Sequence, residues 1–343
     1  MHVVDSNYWD YEPLKNPVAI TKQKWPEGTK PLVSVCCVTY NHVNFISDMI
    51  NGILNQETIF PVEIIVYDDA SDDGNRQIIE KYAEQNKDLI IPILQSQNQY
   101  SLGEKVLKTP LSLSKGRFIA LCDGDDYWID EKKLLKQVSF MESYDVDLCG
   151  HPAIIKSTSN DQIKGYTGYR PTQVTKFQAL DLINNNGNML PISSIVMSNR
   201  AKISIINNMP PVEFHTGIQL LCAAFSGLII LPDPMMIYRI DVPGSTTELL
   251  LGSLNKKANT AARRIESFKA LLSLYGKCEK KSLKKLILKQ ANIVEYQGNI
   301  VAMLPIFRAI FNGEYILTSI YIIIKILSIN IILITRKIIN KKN

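Results

Sequence analysis

The sequence predicts an α/β fold, a mostly parallel central sheet flanked by helices on both faces, with a helical C-terminal extension. Three observations predict it. Short runs rich in β-forming residues alternate with segments of helical period. The run Phe118-Ile-Ala-Leu-Cys122 is apolar throughout, as befits a central strand covered on both sides. Three of the first four strands end in polar clusters: Thr39-Tyr40-Asn41, Asp68-Asp69-Ala70-Ser71 and Asp123-Gly124-Asp125-Asp126. In open α/β sheets, ligands bind beyond the carboxyl ends of the strands.

The elements follow in order. Residues 1–30 form a polar, proline-bearing arm. Residues 31–38 are the first strand, and the following helix places Phe45, Ile46, Met49, Ile50, Ile53 and Leu54 on one face. Val62–Tyr67 is the second strand, followed by a helix with Ile78, Ile79 and Tyr82 inward. Leu89–Leu94 is the third, and a polar loop from Gln95 to Gly103 leads to a helix ending near Ser114. After the strand 118–122, Glu131–Met141 is an amphipathic helix with its lysines outward. Asp147–Ile155 and Ile192–Met197 are strands, with a helix over Phe177–Asn184 between them. Asn207–Phe214 is a proline-bearing loop, Thr216 caps a helix through Ala224, and Gly227 ends it. Leu228–Leu231 and Met235–Ile240 are further strands. The boundaries are an arm at 1–30, a catalytic domain at 31–250 and a helical region at 251–343.

Charge is divided along the chain. Residues 1–255 hold 21 Lys+Arg against 29 Asp+Glu, and residues 256–343 hold 17 against 4. An acidic body with a basic, apolar tail argues against nucleic acid and for an anionic membrane face. The six cysteines show no Cys-x-x-Cys spacing, and several sit in apolar runs. That points to a reducing compartment and away from disulfides or zinc. The N-terminus is no secretion signal.

Asp123 and Asp125 are two apart, so in an extended segment they leave on the same side, and Gly124 between them opens room for the close approach of a ligand. Like charges side by side call for a cation, and Mg²⁺ or Mn²⁺ prefers oxygen ligands. The plainer reading is a polar turn capping the next helix. Neither a Gly-x-Gly-x-x-Gly nor a Gly-x-x-x-x-Gly-Lys-Ser/Thr motif is present, so a nucleotide must be held by side chains and a metal.

The segments Val33–Asn41, Ile64–Gly74 and Lys115–Trp128 together resemble family 2 glycosyltransferases of the GT-A fold, over about residues 31–245. The resemblance implies a nucleotide-sugar donor, usually a UDP-sugar, and a divalent metal, Mg²⁺ or Mn²⁺. It implies that Thr39, Tyr40, Asp68 and Asp69 meet base and ribose, with Asn41 and Ser71 in the same strand tips. Asp123 would lie near ribose or metal, and Asp125 would bind the metal. Asn98–Gly103 with Lys105 would lie beside the nucleotide. Arg239 is either a diphosphate ligand or a surface cation. The family's expected Asp base is missing from Pro211–Gln219. Glu213 and His215 are the nearest proton acceptors, His215 being favoured at the helix entry, with an ordinary cap as the other reading.

Tyr315–Thr335 is long enough to span a bilayer. A span would put the basic C-terminus inside and the catalytic domain outside, away from nucleotide sugars. A helix lying in the membrane surface avoids that conflict, and a helix packed on the protein or a partner subunit is the alternative. The expectation is a metal-dependent, inverting glycosyltransferase, cytoplasmic and peripheral on the inner membrane face, acting on a glycan or polyprenyl-linked acceptor in surface polysaccharide synthesis. Its rivals are a sugar-phosphate nucleotidyltransferase and a non-catalytic nucleotide-sugar-binding subunit.

Overall fold

The structure, a computed structural model, describes residues 11–208, 214–245, 254–293 and 309. The chain divides into two compact units, Met1–Met209 with Ile218–Val242, and Pro210–Gly217 with Pro243–Asn343.

The first unit begins with β1 (Val18–Ala19), β2 (Val33–Thr39), α1 (Ile46–Leu54), β3 (Glu57–Thr58), β4 (Val62–Asp68), α2 (Asn75–Gln85), β5 (Ile90–Leu94) and α3 (Lys108–Leu113). β6 (Phe118–Asp123), β7 (Tyr127–Trp128), α4 (Lys133–Tyr144), β8 (Leu148–Gly150), β9 (Ala153–Ser157), β10 (Ile163–Thr167), β11 (Thr175–Phe177) and α5 (Ala179–Asn184) follow. β12 (Val196–Ser198), α6 (Asn199–Asn208), α7 (Phe214–Ser226), β13 (Leu228–Ile230) and β14 (Met236–Ile240) complete it, α7 beginning in the second unit. The second unit holds α8 (Leu254–Leu271) and α9 (Lys277–Ile293).

The main sheet has eight strands in the order β11-β13-β8-β12-β6-β2-β4-β5, and a smaller sheet runs β10-β9-β14-β7. The block β6-β2-β4-β5 is wholly parallel. β2 and β4 are buried on both faces, which accounts for their unbroken apolar runs. On α1 the face Ile46, Met49, Ile50, Ile53 and Leu54 is buried, as its spacing predicts. The segment before Pro31 is tied down from Val18 onward: β1 pairs with β3, and the Gln23 amide donates to Thr58.

Several elements differ from expectation. Asp147–Ile155 is two strands rather than one. His151-Pro152 breaks it, so β8 stays in the main sheet and β9 crosses into the small one. Ile192–Ser194 is a short 3-10 turn, and only Val196–Ser198 is strand, antiparallel to β6. Helix α6 and the hairpin strand β10 were not anticipated. Helix α7 starts at Phe214, which puts Thr216 inside it, and Gly227 follows its end with a φ of +80°. On α4 the lysines do not all face outward, for Lys133 is fully buried. In the second unit α8 and α9 pack together, and Leu283, Leu286 and Ile287 of α9 are buried. Among the described residues no helix is long and apolar enough to cross a membrane, and Tyr315–Thr335 lies outside them.

Candidate active site

Strand register brings the three polar tips together. Thr39 pairs with Asp68 across β2 and β4, and Val38 pairs with Asp123 across β2 and β6. Neighbouring strands lie about 4.8 Å apart, so the tips form one continuous edge.

At the β4 tip the carboxylates are engaged by protein. Asp68, fully buried, accepts from the Ser71 N–H (3.0 Å), the Ser71 hydroxyl (2.6 Å) and the Asn75 amide (2.7 Å). Asp69 accepts from the Gln99 and Tyr100 N–H groups (2.8 and 3.0 Å), anchoring the loop that follows β5. The Asn41 N–H donates to Ser71 Oγ at 2.9 Å, with Asn41 at a φ of +55°. Thr39 is buried, whereas Tyr40 and Tyr100 are exposed beside it, and Lys105 is half-buried on the loop before α3.

A polar chain crosses from this tip to the next. The Asn75 amide also donates to Thr39 Oγ1 (3.2 Å), which lies 3.2 Å from His42 Nδ1. The other ring nitrogen, Nε2, faces Asp125 Oδ2 at 3.9 Å. Burial pushes the His42 pKa down, opposed by Asp125. His42 and Asn75 were not singled out from sequence, since neither carries a motif and both act through a tertiary contact.

At the β6 tip, Asp123, Asp125 and Asp126 each present a carboxylate oxygen within 4.8 Å of the others. Burial, reinforced by Asp125, pushes the Asp123 pKa up to about 7. Burial also pushes the Asp126 pKa well above the usual carboxylate range, with Asp125 and Asp123 adding to it. Asp126 is held from both sides, by the Ser193 hydroxyl at 2.7 Å and the Arg239 N–H at 3.1 Å. Ser193 Oγ also accepts the Asp123 N–H at 3.0 Å, and the Ser193 carbonyl accepts the Trp128 indole N–H at 2.9 Å. Ser193 is therefore the clamp of the acidic loop, 70 residues away in sequence. Among the described residues no hydrogen bond engages the Asp123 or Asp125 carboxylate, Asp125 facing only His42 at 3.9 Å, and both are hard donors suited to a divalent cation.

Gly124 is also required by its neighbours in the fold. A Cβ there would stand 2.5 Å from Thr39 Cβ and 2.7 Å from His42 Nδ1. The glycine admits the protein's own Thr39 and His42.

Arg239 is built into the loop. Its guanidinium donates to the Asp125 carbonyl (2.9 Å) and to Asp48, and lies 4.4 Å from the Tyr127 ring centroid and 5.0 Å from that of Phe45. His215 is the second residue of α7, but its side chain and all of Glu213 lie outside the described residues.

With the geometry in place, comparison with known proteins is direct. Residues 34–200, which contain all three tips and Ser193, match the family model described as Glycosyl transferase family 2. The chain carries a family 2 glycosyltransferase domain.

Relatives of this family domain agree in extent. The uncharacterized Mycobacterium tuberculosis protein Rv1520 is 30% identical over 212 residues, 60% of this chain and 58% of its own length. The chain thus matches little more than half of that relative. Escherichia coli WfaP, a UDP-Glc:alpha-D-GlcNAc-diphosphoundecaprenol beta-1,3-glucosyltransferase, is 34% identical over 113 residues, 33% of this chain and 42% of WfaP. Among solved structures, S. aureus TarS 1-349 in complex with UDP-GlcNAc superposes with a TM-score of 0.59 at 16% identity, covering 81% of this chain and 79% of that one. At that identity the likeness concerns the fold, a Rossmann-like GT-A fold with a helical C-terminal extension.

Proposed function

We propose that the protein transfers a sugar from a nucleoside diphosphate sugar, a UDP-sugar, to a hydroxyl of a glycan or polyprenyl-diphosphate-linked acceptor in surface polysaccharide assembly, with inversion. The observation that carries this is the pair of carboxylates, Asp123 and Asp125, at the tip of β6 in a family 2 domain. WfaP supports the class of donor and acceptor.

Asp123 and Asp125 would hold Mg²⁺ or Mn²⁺. The cation would supply Lewis-acid stabilisation of charge developing on the departing diphosphate. Asp126, Ser193 and Arg239 keep the two ligands at a constant separation, so that little ordering is left for the moment of binding. Exposed Tyr40 and Tyr100 offer flat faces to the nucleobase, with Lys105 and the tips at Thr39, Asn41, Asp68, Asp69 and Ser71 shaping the ribose side. Arg239 orients the Asp125 carbonyl toward the same edge. His215, with Glu213 as the other candidate, takes the proton from the acceptor hydroxyl. The basic, apolar tail holds the enzyme on the inner face of the cytoplasmic membrane, where a polyprenyl-linked acceptor resides.

The test is a screen of nucleotide sugars for metal-dependent turnover with release of nucleoside diphosphate. Asp125→Ala should abolish turnover at saturating metal while nucleotide binding without metal persists. Wild-type turnover by that variant removes the reading, and release of pyrophosphate would mark a nucleotidyltransferase instead.

A further inference from the structure

The small sheet has one face toward the core and one away from it. Side chains alternate along strands, and paired residues share a face. On the inner face Trp128 of β7, Met236 of β14, and Ala153 and Ser157 of β9 are buried, while Tyr238, Ile155 and Ile240 are half-buried. On the outer face, register gives a row from β7 to β10, with Ile237 buried and Tyr127 and Ile154 half-buried: Tyr127 pairs with Ile237, Ile237 with Ile154, and Ile154 with Tyr166. A second row on that face runs Arg239, Lys156, Ile163. The first row starts beside the acidic cluster, because the Arg239 guanidinium stacked on Tyr127 also caps the Asp125 carbonyl. It ends at the hairpin, where Ile163 and Tyr166 are 66% and 47% exposed.

Arg170 sits at that far end. Its guanidinium carbon lies 3.8 Å from the Tyr166 ring centroid, so the ring holds the fork flat. Arg239 is paired with Asp48 and Lys156 with Asp161, whereas Arg170 has no carboxylate partner among the described residues. A stacked guanidinium keeps its N–H edge available for planar, bidentate recognition of an oxyanion. Three strand spacings separate Tyr127 from Tyr166, roughly 14 Å. That exceeds the Debye length of about 8 Å at physiological salt, so the carboxylates of the acidic cluster do not repel an anion held there.

We propose that the outer face of the small sheet is an acceptor ledge, on which Arg170, stacked on Tyr166, holds an anionic group of the acceptor glycan, a carboxylate or a phosphate, about three strand spacings from the acidic cluster. This rests on the glycosyltransferase reading and names the acceptor class. Exposed Ile163 and Tyr166 of the hairpin offer apolar surface to the sugars next to that anionic group.

The probes are trigalacturonate for carboxylate, a glycerol phosphate trimer for phosphate, and maltotriose as the neutral control. Binding of each to the full chain is measured by calorimetry at physiological salt, for wild type, Arg170→Met and Arg170→Lys. At least one anionic trimer should bind more tightly than maltotriose, and Arg170→Met should weaken it by about tenfold or more, the loss expected of a charge-assisted pair. Arg170→Lys, which keeps charge and loses the fork, should fall between. Whichever trimer responds identifies the anion. Equal binding of both anionic trimers by wild type and Arg170→Met, or a preference for maltotriose, overturns the ledge. Metal-dependent hydrolysis of the donor sugar is followed in parallel and should be unchanged in Arg170→Met. Its absence from the wild type would remove the glycosyltransferase reading, whereas hydrolysis that persists with no Arg170 effect on trimer binding removes the ledge alone.

Discussion

Lys133 offers the sharpest quantitative test of the core behind the acidic loop. It is fully buried, its Nζ donates to Gln137 Oε1 at 2.7 Å, and it sits 4.0 Å from the Trp128 ring centroid. Burial pushes its pKa from 10.5 down to about 7, opposed by Cys122, Cys149 and Asp130. Because the folded value lies below the unfolded one, the unfolded chain binds more protons between pH 7 and 10.5. Stability from this group therefore rises with pH across that window, and the penalty is complete below it. At 1.36 kcal/mol per unit, the three units between pH 7.5 and 10.5 amount to about 4 kcal/mol. Lys133→Met removes that penalty but leaves Gln137 Oε1 without its donor, at a cost of roughly 1–3 kcal/mol. The variant should be more stable than wild type by about 1–3 kcal/mol at pH 7.5. The advantage should shrink by about 1.4 kcal/mol per pH unit and reverse between about pH 8 and pH 10. Urea unfolding of both proteins at pH 7, 8, 9 and 10 measures the difference. A difference independent of pH across that range refutes the reasoning, for it would mean that Lys133 keeps its ordinary proton affinity when folded.

Other outcomes follow from the site. Gly124→Ala drives a methyl into Thr39 and His42, so it should lower the melting temperature by the equivalent of about 1–3 kcal/mol and cut metal-dependent turnover at least tenfold. An unchanged melting profile would show that the close approach is absent. Ser193→Ala takes the hydroxyl donor from buried Asp126 and the acceptor from the Asp123 N–H, which should weaken Mn²⁺ binding in titrations while nucleotide binding without metal is kept. Since a cation must displace the proton that Asp123 holds up to about pH 7, Mn²⁺ affinity should climb as pH rises from 5.5 and level off above 7. Asp123→Asn should flatten that profile.

The sequence by itself determined the parallel block β6-β2-β4-β5 and the acidic tip. Each signal is local there: a strand buried on both faces must be apolar over its whole length, and strands joined through helices must run parallel. The break at His151-Pro152 and the hairpin strand β10 were illegible, because a short strand carries no period long enough to distinguish it from a loop. Tertiary structure alone decided what each polar residue does. Asp68, Asp69 and Asp126 look equivalent to Asp125 in sequence, yet Asn75, the loop at Gln99 and Tyr100, Ser193 and Arg239 engage their oxygens and turn them into supports. Ser193, brought in beside the antiparallel strand β12 from 70 residues downstream, holds the loop that carries Asp123 and Asp125 from behind. A hydrogen bond depends on the distance between two atoms, and sequence spacing does not set that distance once the partners lie on different strands.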